Sequence, residues 1–351
     1  MLPFAIQHRT HAAVGPRDDG VLMVTSTFDP EPVQVALSEL DQMFPTTQGN
    51  PAVGWAAYPL GLAWALLQNT ATPADQVTGL DVVIASDVPV GAGLSSSAAI
   101  ESAVGSALND VWQLGVDRVG LAQVGRKAEN EAVNAPTGIM DQMASMLGQA
   151  DAAIFLDCRS LQTETIELGF DAAGLEILVM DTRVSHSHAT GGYGERRAAC
   201  ERAAAAVGVP ALRDLSVDDL PRLQAALDEV TFRRARHVIT ENQRVLDTVA
   251  ALRAGDLNAL GDLLTGSHAS MRDDFEISTV ELDSAVEAAL AAGALGARMT
   301  GGGFGGAAIA LIARDRLDAA TAAVAEAFAT AGFKAPNQFT VTPSEGARRD
   351  T

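Results

Sequence analysis

The sequence predicts an α+β protein of two domains, on three observations. A chain of 351 residues is longer than one simple core needs. Strand-like and helix-like segments are interleaved, yet no βαβ unit with a dinucleotide fingerprint occurs. Each half also carries one glycine-rich loop, at Pro89–Ala98 and at Met299–Gly306. The boundary is expected near Phe170, giving domains over 1–170 and 171–351.

The elements follow from local pattern. Leu2–Val14 is apolar and β-branched and predicts a strand, and Val21–Phe28 alternates as another. Turn-rich residues 45–51 lead to helical spacing over Trp55–Leu67, and Leu80–Val88 predicts a strand closed by Pro89. An Ala-rich helix then runs towards Trp112, and a second covers about Asp117–Val133. Asn134-Ala-Pro-Thr-Gly138 breaks the chain before a short helix over Met140–Met146. Strands are expected at Ala152–Asp157, Thr163–Leu168 and Leu175–Asp181. From Gly191 onwards long Ala/Arg/Leu helices dominate, at Glu195–Val207, Thr231–Arg253, Leu257–Met271 and Val280–Ala292. A strand at Ala307–Ala313, a helix over Leu317–Thr330 and a strand at Gln338–Val341 complete the pattern.

Composition narrows the function. Hydrophobic residues make up 48% of the chain, enough for sizeable cores, and the net charge is −20. So acidic a surface repels phosphate backbones and anionic lipid, which argues against nucleic-acid and membrane partners. No apolar run is long enough to span a bilayer, and Met-Leu-Pro-Phe-Ala-Ile does not read as a signal peptide. A cytoplasmic monomer acting on small molecules is expected. Cys158 and Cys200 form no CxxC-type pair and read as small buried residues of a reducing compartment. Lys127 and Lys334 are the only lysines, so lysine-dependent phosphate chemistry has two candidates.

An anionic ligand on this protein needs a local positive field. Pro89-Val-Gly-Ala-Gly-Leu-Ser-Ser-Ser-Ala98 can supply one. Gly91 and Gly93 allow close backbone approach, and the first N–H groups of the following helix point at whatever binds there. Ser95, Ser96 and Ser97 add hydroxyl donors or a metal ligand; a plain glycine turn with a serine cap is the competing reading. The loop is no Walker A motif, because Gly-Lys-[Ser/Thr] occurs nowhere, and the protein-kinase motifs are also missing.

Taken together, the loop and Met299-Thr-Gly-Gly-Gly-Phe-Gly-Gly306 resemble the two glycine motifs of the GHMP kinases. That resemblance implies their two-domain fold, with an N-terminal half like ribosomal protein S5 domain 2 and a ferredoxin-like C-terminal half with extra helices. It also implies ATP as co-substrate and Mg²⁺ as the metal. Nucleotide-binding residues would be Gly91, Ala92, Gly93, Leu94, Ser95, Ser96 and Ser97, joined by Gly301, Gly302 and Gly303.

Phosphoryl transfer further needs carboxylates, one beside the metal and one to accept the hydroxyl proton. Lys127-Ala-Glu-Asn130 and Pro136-Thr-Gly-Ile-Met-Asp-Gln142 provide both. By resemblance, Ser97 and Glu129 are the Mg²⁺ ligands and Asp141 is the base at the C1 hydroxyl of a sugar. Gly138-Ile-Met-Asp-Gln142 and Gly192-Tyr-Gly-Glu-Arg-Arg197 look most like the galactokinase branch, which implies galactose contacts from Gly138, Asp141 and Tyr193. Trp55 resembles a tryptophan near the adenine, or is a core residue. His186 and His188 read as polar contacts rather than a metal pair.

Galactokinases carry a Gly-Arg-Val-Asn-Leu-Ile-Gly-Glu-His-Thr-Asp-Tyr signature ahead of a segment like Leu2–Ile6, and the sequence starts at that later segment. An arginine is also common where Ser185 stands. The expectation is therefore a complete nucleotide half, an incomplete sugar half and impaired turnover on galactose. A start assigned too far downstream is the favoured account, ahead of divergence or a fragment. The alternatives are another GHMP sugar kinase, such as one for amino sugars, and a non-catalytic sugar or nucleotide sensor. A phosphorylation screen across sugars separates the two kinases; intact Asp141 and Glu129 argue against the sensor, and the absent signature argues for it.

Overall fold

A computed structural model describes residues 1–46, 54–89, 91–184 and 189–350. The chain divides into two compact units. One contains Leu2–Pro89, Ser95–Thr165 and Pro343–Thr351; the other contains Met1, Val90–Leu94 and Ile166–Thr342. They are called the N-terminal and C-terminal units below.

The N-terminal unit is built on a four-stranded sheet in the order Thr10–Arg17, Gly79–Ser86, Val21–Ser26, Val33–Ala36. The first pair is antiparallel, with Val14 opposite Val82; the second is parallel, with Val24 opposite Val82; the third is antiparallel. Alternation along Gly79–Ser86 sends Leu80, Val82 and Ile84 into the core and leaves Val83 45% exposed. Against that face lie the helices Ala57–Thr70, Ser96–Val111 and Arg118–Glu131. Leu60, Leu66, Leu108 and Val124 fill the space between sheet and helices. The short helix Met140–Leu147 adds Met143 and Met146 to the same core. Ala5–Ile6 pairs antiparallel with Pro343–Ser344, so the last residues close this unit.

The C-terminal unit holds an antiparallel sheet in the order Asn337–Val341, Leu175–Asp181, Ala307–Ala313, Gly296–Met299. Helices Val280–Ala291 and Leu317–Ala331 cover it, burying Leu282, Val286, Val324 and Phe328. Helices Ala189–Ala206, Glu229–Ala254 and Leu257–Ser270 form the remaining helical layer. Leu257–Ser270 approaches Gly296–Met299 so closely that a Cβ on Gly261 would strike the Leu295 carbonyl, and one on Gly296 would strike Gly261.

Most expected elements appear with shifted ends. The expected first strand is two, Ala5–Ile6 and Thr10–Arg17, because the chain changes partner between them. The expected helix over Glu195–Val207 starts earlier, at Ala189, despite Gly191, Gly192 and Gly194. Elements that had not been expected include the strands Val33–Ala36 and Gly296–Met299, the helices Leu40–Met43 and Leu220–Ala226 and a π-helical turn at Met271–Phe275. Cys158, expected to be buried, is exposed.

Candidate active site

The helix Ser96–Val111 sets up the site of the N-terminal unit. Its N-cap, Ser95, lies in the left-handed region at φ 59°, and its side chain makes no capping bond. The hydroxyl donates to Asp141 Oδ2 at 2.6 Å instead. The serine cap weighed from sequence is thus a cap by position only. Ser95 thus places no side-chain oxygen across the positive end of the helix dipole. Gly91 and Gly93 also have positive φ, 81° and 70°. Ala92, between them, is fully buried. Leu94 and Ser96 are half-buried where the loop enters the helix.

Two residues into that helix, Ser97 donates to Glu129 Oε1 at 2.9 Å. Glu129 lies near the end of Arg118–Glu131 and is 6% exposed. Its other oxygen, Oε2, accepts from the Thr137 hydroxyl at 2.7 Å and from Gln142 Nε2 at 2.8 Å. Gln142 Nε2 also donates to Glu101 Oε2 at 3.0 Å. Asp141, in the first turn of Met140–Leu147, has its carboxyl raised above the ordinary range. Burial is the main cause; the Ser95 bond opposes it and the charge of Glu129 adds to it. Glu101 is raised well above its usual value, by burial first and by Glu129 second. Tyr58 is pushed up to about 12 for the same two reasons and stays a phenol.

Ser97 and Glu129 suit a divalent cation with a taste for oxygen. Octahedral Mg²⁺ with bonds of about 2.1 Å sets adjacent ligand oxygens roughly 3 Å apart. The observed Oγ–Oε1 separation is 2.9 Å. Among the described residues no three His, Cys, Asp or Glu side chains gather into a cage.

In the C-terminal unit the second glycine motif follows the strand Gly296–Met299. Gly301, Gly303, Phe304, Gly305 and Gly306 all have positive φ. A Cβ on Gly301 would lie 3.2 Å from the Gly93 carbonyl, and one on Gly303 only 2.5 Å from the Ile277 carbonyl. A Cβ on Gly302 would meet nothing within 4 Å. Residues 90–94 belong to this unit, so Gly93 and Gly301 touch within it. Arg196 donates to the carbonyls of Phe275 at 3.0 Å and Glu276 at 2.8 Å, and its guanidinium lies over the Phe304 ring. The backbone of Gly192 is pressed against that ring.

The expected residues therefore fall into two groups. Ser95, Ser97, Glu129 and Asp141 come together, whereas Gly93 lies against Gly301, and Gly91 and Gly302 have open space where a Cβ would stand. Gly138 is exposed in the turn before Met140–Leu147. Tyr193 is on the helix Ala189–Ala206, but its side chain lies outside the described residues, as do Ser185, His186 and His188. Trp55 meets Phe28 edge-on at 5.1 Å and packs on the core. Lys127 lies over the Trp64 ring, 4.8 Å from its centre. Sequence reasoning assigned nothing to Glu101, Thr137 and Gln142. One signal was available: Glu101 is an acid one turn after Ser97 in an otherwise Ala-rich apolar helix.

Comparison with known proteins identifies the family. Residues 57–149 match the GHMP kinases N terminal domain, and residues 248–330 match GHMP kinases C terminal. The galactokinase of Streptomyces coelicolor is 49% identical, over 99% of this chain and 88% of its own length. That of Actinobacillus succinogenes is 40% identical over the same shares. The crystal structure of Lactococcus lactis galactokinase complexed with galactose superposes with a TM-score of 0.91 at 32% identity, covering 98% of this chain and 88% of that one. A mevalonate kinase structure, at 16% identity and TM-score 0.63, shares the fold. The chain belongs to the GHMP kinase family and, within it, to the galactokinases.

Proposed function

We propose that this protein phosphorylates D-galactose at its C1 hydroxyl, using ATP and yielding galactose 1-phosphate and ADP. The single observation that carries the chemistry is the pairing of Ser95 with a half-buried Asp141 beside the Ser97–Glu129 oxygen pair. Near-full-length identity to galactokinases supports the choice of sugar.

On this reading Asp141 accepts the proton of the C1 hydroxyl as its oxygen bonds to the γ-phosphorus and the bond to the β-phosphate oxygen breaks. The raised carboxyl suits a base that must take up a proton and later release it. Ser95 holds Asp141 by Oδ2 and restrains its rise. Gly91, Ala92, Gly93, Leu94 and Ser95, Gly301–Gly303 and the first turn of Ser96–Val111 bind the phosphates through backbone N–H groups, with Ser96 adding its hydroxyl. Ser97 and Glu129 hold Mg²⁺, which when bound neutralises charge on the phosphates. Gly138, Asp141 and Tyr193 contact the sugar. The domains that divide this work are 1–170 and 171–351 in chain order, except that residues 343–351 return to the first compact unit and residues 90–94 belong to the second; the protein acts as a cytoplasmic monomer on small molecules alone. No helix among the described residues is long and apolar enough to cross a membrane.

The test is a screen of purified protein with Mg-ATP against galactose, galactosamine, N-acetylgalactosamine, glucose and mannose, with the product's phosphate located by NMR. Galactose should give the highest kcat/KM, with phosphate on C1. Preference for an amino sugar would move the assignment to another sugar kinase; binding without turnover on any sugar would make the protein a sensor.

A further inference from the structure

Gln142, 1% exposed, donates from one amide nitrogen to two carboxylates, Glu101 and Glu129. That nitrogen carries two hydrogens, and each meets an acceptor. Turned over, the amide would present its carbonyl oxygen to the Glu129 carboxylate, so only one orientation serves that residue. On Glu129 the consequences are asymmetric. Oε2 is gripped by Gln142 and Thr137, whereas Oε1 is directed to Ser97.

We infer that Gln142, anchored by Glu101, is a positioning residue that aims the Glu129 carboxylate for the metal of the Mg-nucleotide complex. The inference rests on the proposed reading of Ser97 and Glu129 as metal ligands, and adds the support that orients one of them.

Three features favour orientation over plain core packing. Glu101 is 2% exposed, and an apolar side chain there would avoid the cost of burying a carboxyl. Glu101 Oε1 and Gln142 Oε1 are buried with no hydrogen-bond partner among the described residues. A polar pair so incompletely satisfied adds no stability that an apolar pair would lack; what it adds is direction. Space for it is kept by Gly125, inside Arg118–Glu131, where a Cβ would lie 3.1 Å from Gln142 Cγ and 3.2 Å from Glu101 Oε2. Alanine would be the better helix former at that position.

The test uses Gln142→Met, which keeps the length and removes both donors. Mn²⁺ replaces Mg²⁺, and its binding to the protein–ADP complex is followed by electron paramagnetic resonance. Ser97→Ala, Glu129→Gln, Glu101→Met and Glu101→Gln are measured beside it. The expected result is a loss of metal affinity of roughly tenfold or more in Gln142→Met, with KM for the sugar within about twofold of wild type. Glu101→Met should follow it, and Glu101→Gln, which keeps an acceptor for Gln142, should restore near-normal binding. If Gln142→Met does not fold, Gln142→Asn, too short to reach both carboxylates, carries the same criterion. Unchanged metal affinity in Ser97→Ala and Glu129→Gln removes the ligand pair and the inference with it. A loss in those two, with normal affinity in the folded Gln142 variant, overturns the inference alone.

Discussion

Ser95 occupies the N-cap of its helix yet gives its hydroxyl to Asp141, 46 residues further along the chain, at 2.6 Å. A residue that would ordinarily cap its helix is thereby tied to the proposed base. The left-handed backbone at Ser95 accompanies that choice, and glycine accepts such a backbone more readily than serine.

Ser95→Gly should therefore keep the loop and lose only the hydroxyl. The lost bond favours the ionised carboxylate, so Asp141 rises further. The base works ionised, and the acidic limb of the kcat/KM profile should move to higher pH, by roughly half a unit to one unit. The measurement is kcat/KM for galactose between about pH 5 and pH 9 in both proteins. A limb that stays in place would detach Ser95 from the base.

Asp141→Asn preserves shape and removes proton acceptance. Turnover should fall at least ~10²-fold, the scale of a lost general base, while calorimetry shows Mg-ADP binding unchanged. Turnover within a few fold of wild type in the folded variant would shift the base role elsewhere.

Glu101 sets a pH dependence of stability. Its folded-state value is raised, so the folded protein keeps that proton where the unfolded chain has released it. Stability thus falls as pH rises from the ordinary carboxylate range through the folded value, and the cost is full above it. Glu101→Gln removes this titration. Its Tm should exceed that of wild type near neutral pH and converge with it below about pH 4. Melting curves across that range decide; a difference independent of pH would contradict the argument.

Gly303 combines φ 83° with a Cβ position 2.5 Å from the Ile277 carbonyl. That carbonyl also accepts from Phe304 N at 2.7 Å. Gly303→Ala should cost roughly 1–3 kcal/mol and lower the denaturation midpoint without altering the m-value. Gly302→Ala, with open space around it, serves as the milder control.

Much of this was legible in the sequence, and the reasons are local. Gly91, Gly93 and the serines announce their loop because positive φ and hydroxyl donors leave few alternatives. The long helices declare themselves by spacing, although the glycines at 191, 192 and 194 hid the start of Ala189–Ala206. The strand Val33–Ala36 is four residues long and held by its neighbour Val21–Ser26, a tertiary cause that periodicity does not register. The union of Glu101, Glu129 and Gln142 needs three helices to be packed first. Gln142 was noticed as part of a motif, while its double donation depends on distances no spacing rule supplies.

The pairing of Ala5–Ile6 with Pro343–Ser344 bears on the order of assembly. During synthesis the N-terminal unit emerges first, but its closing strand arrives only after residues 166–342 of the C-terminal unit. Those intervening residues have nearly all their sheet partners within their own stretch and can complete their hydrogen bonding while the earlier unit waits. The unit begun first is thus finished last, by a loop closure that joins residues 5–6 to residues 343–344.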